Sequence, residues 1–150
     1  METDERFRKR LAALFDSQKL ASLSTQKDGQ PYASLVAFYA ADDLKRLFFV
    51  TPKTTRKFAN LLADSRVALM INNSTNSDAD FHNAISVTAV GTASEVTGAE
   101  KEKLLAQYLA KHPFLEDFAR AETCALVGVR VESYYMVRNF QHVTEWHLAQ

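Results

Sequence analysis

Cysteine is almost absent from this chain. Cys124 stands alone in 150 residues, which excludes an internal disulfide and any multi-cysteine metal site. Glycine and proline are scarce too, at four and three, and leave little room for a glycine-rich phosphate loop or a disordered linker. Neither sign of charge dominates: 18 Lys+Arg face 18 Asp+Glu. A general nucleic-acid or membrane-surface binder needs an excess of cations, so the balance argues against both partners. No apolar run approaches membrane-spanning length, and the opening METDERFRKR has no apolar signal core. A reducing, cytoplasmic setting is the expectation. Aromatics, by contrast, are plentiful, with ten Phe, five Tyr and one Trp. Apolar residues at 47% and charged ones at 24% are the profile of an ordinary globule with enough material for a core. The length predicts one domain over 1–150.

Hydrophobic periodicity predicts a row of short elements. Thr3 is placed to cap a helix carrying Phe7, Leu11, Leu14 and Phe15 on one stripe. LASLSTQ, a turn at Lys27-Asp28-Gly29-Gln30, and PYASLVAFYAA read as a hairpin with Asp-Gly supplying the turn chemistry. Leu35 to Ala40 is apolar at every position, which predicts a strand covered on both faces. KRLFFV is a third strand, and Thr51-Pro52 reads as the cap and first residue of a helix with Phe58, Leu61 and Leu62 on its apolar face. Arg66 to Asn73 is a fourth strand. Residues 74–83 form a polar loop without periodicity, and Ala84 to Val96 is a fifth strand with Gly91 as a bulge or close-approach point. Thr97-Gly98-Ala99-Glu100 has the form of a capping box ahead of Leu104, Leu105, Tyr108 and Leu109. Pro113 breaks that helix, a short helical piece follows around Phe114, Leu115 and Phe118, and Thr123 to Arg138 is a long strand. The tail FQHVTEWHLAQ is free to add another strand or to reach a partner subunit. Strands arriving as meanders predict a mainly β (α+β) fold, an antiparallel barrel of about six strands with three or four flanking helices.

The segment richest in chemistry is Thr51-Pro52-Lys53-Thr54-Thr55-Arg56-Lys57. A helix start presents unpaired amides and a partial positive charge, so it holds anions. Cations there oppose the macrodipole, at about 0.3–1 kcal/mol each, until an anion arrives. Residue types alone leave two readings open, a phosphate cradle and a solvated basic face.

The flanks of that segment bring in a resemblance. Pro31 to Phe38, Phe48 to Thr51, Thr55-Arg56-Lys57 and Asn60-Leu61 follow one another in the order and spacing of the flavin-binding core of the pyridoxamine 5'-phosphate oxidase-like family, FMN-binding split barrels. The resemblance covers roughly residues 15–97, and the final strand loosely. It implies a six-stranded antiparallel split β-barrel acting as a homodimer, with FMN at the subunit interface. Thr51, Thr55, Arg56 and Lys57 would hold the phosphate, the backbone of Ser34, Leu35, Val36 and Ala37 would lie along the ring, and Val50 would stand beside it. The chain also departs from the oxidases. The tail has no arginine after Arg138, Ser34 stands where the oxidases carry an arginine, and Ser86 where they carry a flavin-contacting Gln. The phosphate site is kept while the vitamin-gripping site is not, so pyridoxamine phosphate oxidation is not expected.

The remaining candidates carry a structural reading beside the functional one. Trp146 either stacks on the flavin of the opposite subunit or anchors packing. His82, His112, His142 and His147 lack metal-ligand spacing, and no metal is expected. Cys124 opens an apolar strand, where a buried thiol is the ordinary outcome. Asn72 and Asn73 end a strand, and Glu116-Asp117 reads as a solvated face. The leading expectation is an FMN-binding flavoprotein, an oxidoreductase acting on a small molecule. The alternatives are a non-catalytic module for flavin or another planar cofactor (haem, a deazaflavin) and a ligand-free dimeric structural protein.

Overall fold

A computed structural model describes residues 4–148. The cap expected at Thr3 lies outside the described residues. The first helix, α1 (Asp4–Ser17), buries Phe7, Leu11, Leu14 and Phe15, the four residues of the expected stripe. The hairpin follows as β1 (Leu20–Lys27) and β2 (Gln30–Ala40), paired from Leu20↔Ala37 to Lys27↔Gln30. Its tight turn puts Asp28 at φ 54° and Gly29 at φ 80°, the left-handed pair that a two-residue loop of this twist requires. β3 (Arg46–Pro52), α2 (Arg56–Ala63), β4 (Arg66–Asn72), α3 (Asp80–Asn83), β5 (Ile85–Glu95), α4 (Ala99–Lys111), α5 (Glu116–Arg120), β6 (Cys124–Arg138) and β7 (His142–His147) complete the order, with a 3-10 turn over Pro113–Leu115.

The sheet runs β3-β2-β1-β4-β5-β6-β7, and a further β3–β6 ladder closes its first six strands into an antiparallel barrel. β6 serves two neighbours on one edge: Cys124–Arg130 pair with β3 and Ser133–Arg138 with β7. The tail thus adds a strand to its own sheet. At Gly91 the β5–β6 register shifts, and a Cβ there would meet the Arg130 carbonyl oxygen at 2.1 Å, so the position admits glycine alone.

Two apolar layers explain why KRLFFV and LVAFYA do not alternate. Leu47 and Phe49 point inward with Leu23, Phe38, Leu69, Ile71, Val87, Val127 and Val129, all at 0% exposure. Phe48 and Val50 point outward into a second cluster with Leu105, Tyr108, Leu109 and Leu126 under α4. Full burial of such a side chain contributes about 1.5–3 kcal/mol, so both layers are needed to hold β3. The two-sided cover expected of β2 holds only in part. Tyr39 and Ala37 lie against the α4 cluster, but Leu35 is 67% exposed because no element of the described chain covers the outer face there.

Two local expectations are corrected. Thr97 does not cap α4; Gly98 takes the cap position at φ 78° without a side-chain hydrogen bond. The 74–83 segment contains the single-turn helix α3, too short to leave a periodic signal. The remaining helices, α1, α2, α4 and the short α5, are the four expected.

Candidate functional site

The barrel is open on one side, and the sequence segment singled out for chemistry borders the opening. β2 and β3 pair only over Phe38–Ala40 and Leu47–Phe49. Beyond that point β2 runs on with β1 alone, while β3 continues on β6 as far as Pro52↔Cys124. Phe38 donates its N–H to the Lys19 carbonyl on the β1 side (3.2 Å). Antiparallel alternation then turns the main-chain groups of Leu35 and Ala37 toward the open side. Ser34 and Val36 share the inward parity of Phe38. The Ser34 hydroxyl is a buried atom with no hydrogen-bond partner in the chain, at the position where the family resemblance runs the backbone along a ring.

At the end of β3 the chain departs from the expected cap. Thr51 and Pro52 stay in the strand, and Lys53 donates to the Thr123 carbonyl (2.9 Å), so pairing with the β6 side carries the chain past Thr51. The N-cap is Thr55 (φ −81°, ψ 157°), whose Oγ1 accepts from the Phe58 N–H at 3.3 Å. Thr51, fully buried, still joins the helix start. Its hydroxyl lies 2.8 Å from that of Thr55, and both lie 3.0 Å from the Pro52 carbonyl oxygen. The amides of Arg56 and Lys57 are first-turn donors, which a helix leaves without intrahelical acceptors. Arg56 is exposed, with its guanidinium 5.6 Å from the centre of the Tyr32 ring on β2, and Lys57 is half-buried. Lys53 turns away to an ion pair with Glu95 at 3.7 Å. Two hydroxyls in contact, with the two cations and two amides of the first turn beside them, thus share one helix start where the sequence offered three cations and three hydroxyls.

α2 is held in this place by Phe58 and Leu61, and by the buried Asn60, whose Nδ2 donates to Thr25 Oγ1 on β1 at 3.1 Å. Leu62, expected on the apolar face, is 67% exposed, because the helix turns Asn60 inward instead. Tyr108 of α4, read from the sequence only as a packing residue, reaches the opposite wall of the opening. Its hydroxyl donates to the Ala37 carbonyl at 3.1 Å. Burial holds its phenol above the ordinary range, against a backbone hydrogen bond from Val50, so the group stays a neutral donor. The Val50 side chain is 6% exposed and belongs to the α4 cluster.

Trp146 is not part of this assembly within one chain. Its ring stands edge-on to Phe7 (6.0 Å), stacks on Tyr134 (5.9 Å) and has the Arg8 guanidinium over it at 5.6 Å. Trp146 pairs with Tyr134 on β6, whereas Thr51 pairs with Ala125. The separation along β6 is roughly 30 Å, at ~3.3 Å per residue. The other candidates serve local structure. Asn72 Oδ1 accepts from Ser74, and Asn73 Oδ1 from the Ile85 N–H at 2.8 Å. Ser86 pairs across to Asn72, and Cys124 is buried. Hydrogen bonds from the Thr75 and Ser77 amides hold the Asp80 carboxyl below the usual carboxylate range and fold the 74–83 segment around it. Glu116 pairs with Arg120. The structure also aligns Ser133 Oγ with His147 Nδ1 (2.6 Å) and His147 Nε2 with Glu145 (3.0 Å), a contact made by strand register that no linear spacing announces. Among the described residues no group of three or more His, Cys, Asp or Glu could hold a metal ion, and no helix is long and apolar enough to cross a membrane.

Known structures share this architecture at low identity. A heme-binding protein from Mycobacterium smegmatis superposes with a TM-score of 0.82 and 17% identity, over 98% of this chain and 59% of that one. The heme storage protein HutZ from Vibrio cholerae gives 0.71 and 17%, over 91% and 92% of the two chains. An FAD-binding protein from Mesorhizobium loti gives 0.68 and 15%, over 85% and 90%. At such identities the likeness concerns the fold alone. No curated protein matches the sequence. The family model described as pyridoxamine 5'-phosphate oxidase, however, matches residues 7–138, which include every strand of the barrel and the Thr51–Lys57 segment. The chain belongs to the pyridoxamine 5'-phosphate oxidase family of split barrels.

Proposed function

We propose that this chain is an FMN-binding flavoprotein, an oxidoreductase acting on a small molecule. The observation that carries the reading is the contact of the Thr51 and Thr55 hydroxyls at the α2 start, where Arg56 and Lys57 open the helix beside the open side of the barrel. A phosphate near minus two calls for two cations and several donors, and this cradle provides both. The fit extends to the ring. The buried Ser34 hydroxyl lacks a partner, and the main-chain groups of Leu35 and Ala37 face the opening. When bound, FMN supplies hydride transfer at its ring, and the protein contributes position and polarity. This chain's residues would hold the phosphate at α2 and exclude water along β2. Tyr108, pinned to Ala37, fixes the height of that wall.

The second reading, a non-catalytic module for haem or another planar cofactor, draws on the haem-related names of two structural relatives. The two segments read as ring wall and phosphate cradle favour flavin over haem. Ser34–Ala37 and Val50–Lys57 contain no His, Cys, Met or Tyr to serve as an axial ligand. We further propose that the unit is a homodimer. Leu35, Ser22 and Met70 form one cross-strand row on the outer face of β2, β1 and β4. Leu35 and Met70 in it are 67% and 45% exposed, an apolar patch of the kind a second copy covers.

Titration of the purified protein with FMN tests the reading. Flavin absorbance should co-elute with the protein, and Arg56→Ala/Lys57→Ala should weaken binding about 100-fold, from two charge-assisted contacts of ~1.5–3 kcal/mol each partly replaced by water. Undiminished affinity in the double variant would sink the phosphate assignment. A Soret band with no flavin uptake would favour the haem reading. A bound flavin that no nicotinamide or artificial donor ever reduces would leave a binding module rather than an enzyme.

A further inference from the structure

α4 ends at Lys111, and this side chain bridges α1 and β2. Nζ donates to the Phe15 carbonyl oxygen at 3.0 Å and lies 3.8 Å from the centre of the Phe38 ring. A cavity of about 300 Å³ opens beside it, lined by Phe15, Asp16, Tyr39, Ala40, Asp42 and Lys111. The arrangement is unlike that of the surface lysines: an amine fixed by one acceptor, set against aromatic rings, at the wall of a pocket large enough for a small molecule. We propose that Lys111 captures carbonyl compounds, its amine condensing with an aldehyde whose small aromatic or apolar group is seated in this cavity. The inference does not depend on the cofactor reading.

Burial brings the Lys111 ammonium down to about 8, opposed in part by the Asp16 carboxylate. About a fifth of the amine is then neutral at pH 7.4, against about a thousandth for a lysine of ordinary value. Asp16 of α1 and Asp42 after β2 face the same space. So does Tyr39, whose phenol is raised by burial and by Asp42. His112 follows in the chain with its Nε2 turned away to the Phe38 carbonyl at 2.7 Å. The contact to Phe15 survives deprotonation, since a neutral amine still donates. The condensation balances without an oxidant. The nitrogen lone pair adds to the carbonyl carbon, and both N–H protons leave, one relayed by the Asp16 or Asp42 carboxylate. The C–O bond then breaks as water departs and the C=N bond forms.

The test treats the full chain at pH 7.5 with benzaldehyde and cyanoborohydride, and reads the rate of reductive alkylation at each lysine by peptide mass mapping. Lys111 should react about tenfold or more faster than the exposed Lys9 and Lys103, as buried lysines with lowered basicity do. Lys111→Arg should abolish the fast phase and keep the native melting temperature. Replacing benzaldehyde with a pyrene aldehyde too large for the cavity should slow Lys111 selectively and leave the exposed lysines unchanged. Rates equal at all lysines, or slowest at Lys111, would overturn the proposal. A fast Lys111 indifferent to aldehyde size would overturn the cavity's part in it.

Discussion

The two ends of β2 belong to one strand and meet different neighbours. From Phe38 to Ala40 the strand pairs with β3, with only the Phe38 N–H still bonded on the β1 side, and Tyr39 is backed by α4. From Gln30 to Ala37 it pairs with β1 alone, and its outer face is open as far as Leu35. On the outer face Tyr39 is half-buried against the α4 cluster and Leu35 is 67% exposed, four residues apart in one apolar run. The difference comes from the neighbours. Where β3 leaves β2 to follow β6, the outer face of the strand loses its cover while Val36 on the inner face stays in the core. A run of apolar residues therefore states that a strand is two-faced, but not what lies on each face.

The comparison breaks most sharply at its buried end. Phe38→Ala should cost about 3–5 kcal/mol, because the inner layer cannot collapse around the lost ring. Chemical denaturation should show a lower midpoint at unchanged slope. For the homodimer proposed above, Leu35→Glu should leave the fold of the single chain intact and yield a monomer in sedimentation, and a dimer that persists would place the subunit contact elsewhere. At the hinge between the halves, Tyr108→Phe leaves the Ala37 carbonyl without its donor and should cost about 1–3 kcal/mol. A melting temperature unchanged within error would mean that water replaces the phenol freely.

The smallest effect is a pH dependence at the closed half. Burial lowers the His112 imidazole below its ordinary value, with Lys111 and Lys19 adding to the effect and the bond to the Phe38 carbonyl opposing it. A base whose folded value is depressed binds fewer protons when folded. Its contribution is thus complete above the unfolded value, about 6.5, and is lost as pH falls toward the folded one. Stability should decline on acidification below about pH 7, and His112→Gln should flatten that decline. An equal slope in the variant would assign the acid sensitivity to other groups.

Much of the fold was legible because its signals are local. The α1 stripe, the Asp28-Gly29 turn and the bulge at Gly91 each follow from a few neighbouring residues. The phosphate segment was legible as a list of side chains but not as a geometry. Thr51 loses the cap to Thr55 because Cys124 and Thr123, seventy residues on, hold the end of β3. The same reason hides Tyr108, whose use depends on α4 lying over Ala37, and Asn60, whose inward turn depends on Thr25. Trp146 was ambiguous because its partner Phe7 sits at the other end of the chain.

The ladder that closes the barrel has a kinetic consequence. The hairpins β1–β2 and β4–β5 join neighbours in sequence, whereas β3–β6 joins Arg46 to Arg130 and Pro52 to Cys124. Loop-closure entropy makes such remote pairing slow, and it should be the late step in folding. Thr51 and Thr55 come into register only once that ladder has formed. A phosphate held at this helix start, as proposed, would bind the closed ring and not its open precursor, and would stabilise closure the more the tighter it binds. The ring's opening rate should then report on occupancy of the cradle, linking the slowest motion of the fold to its chemistry.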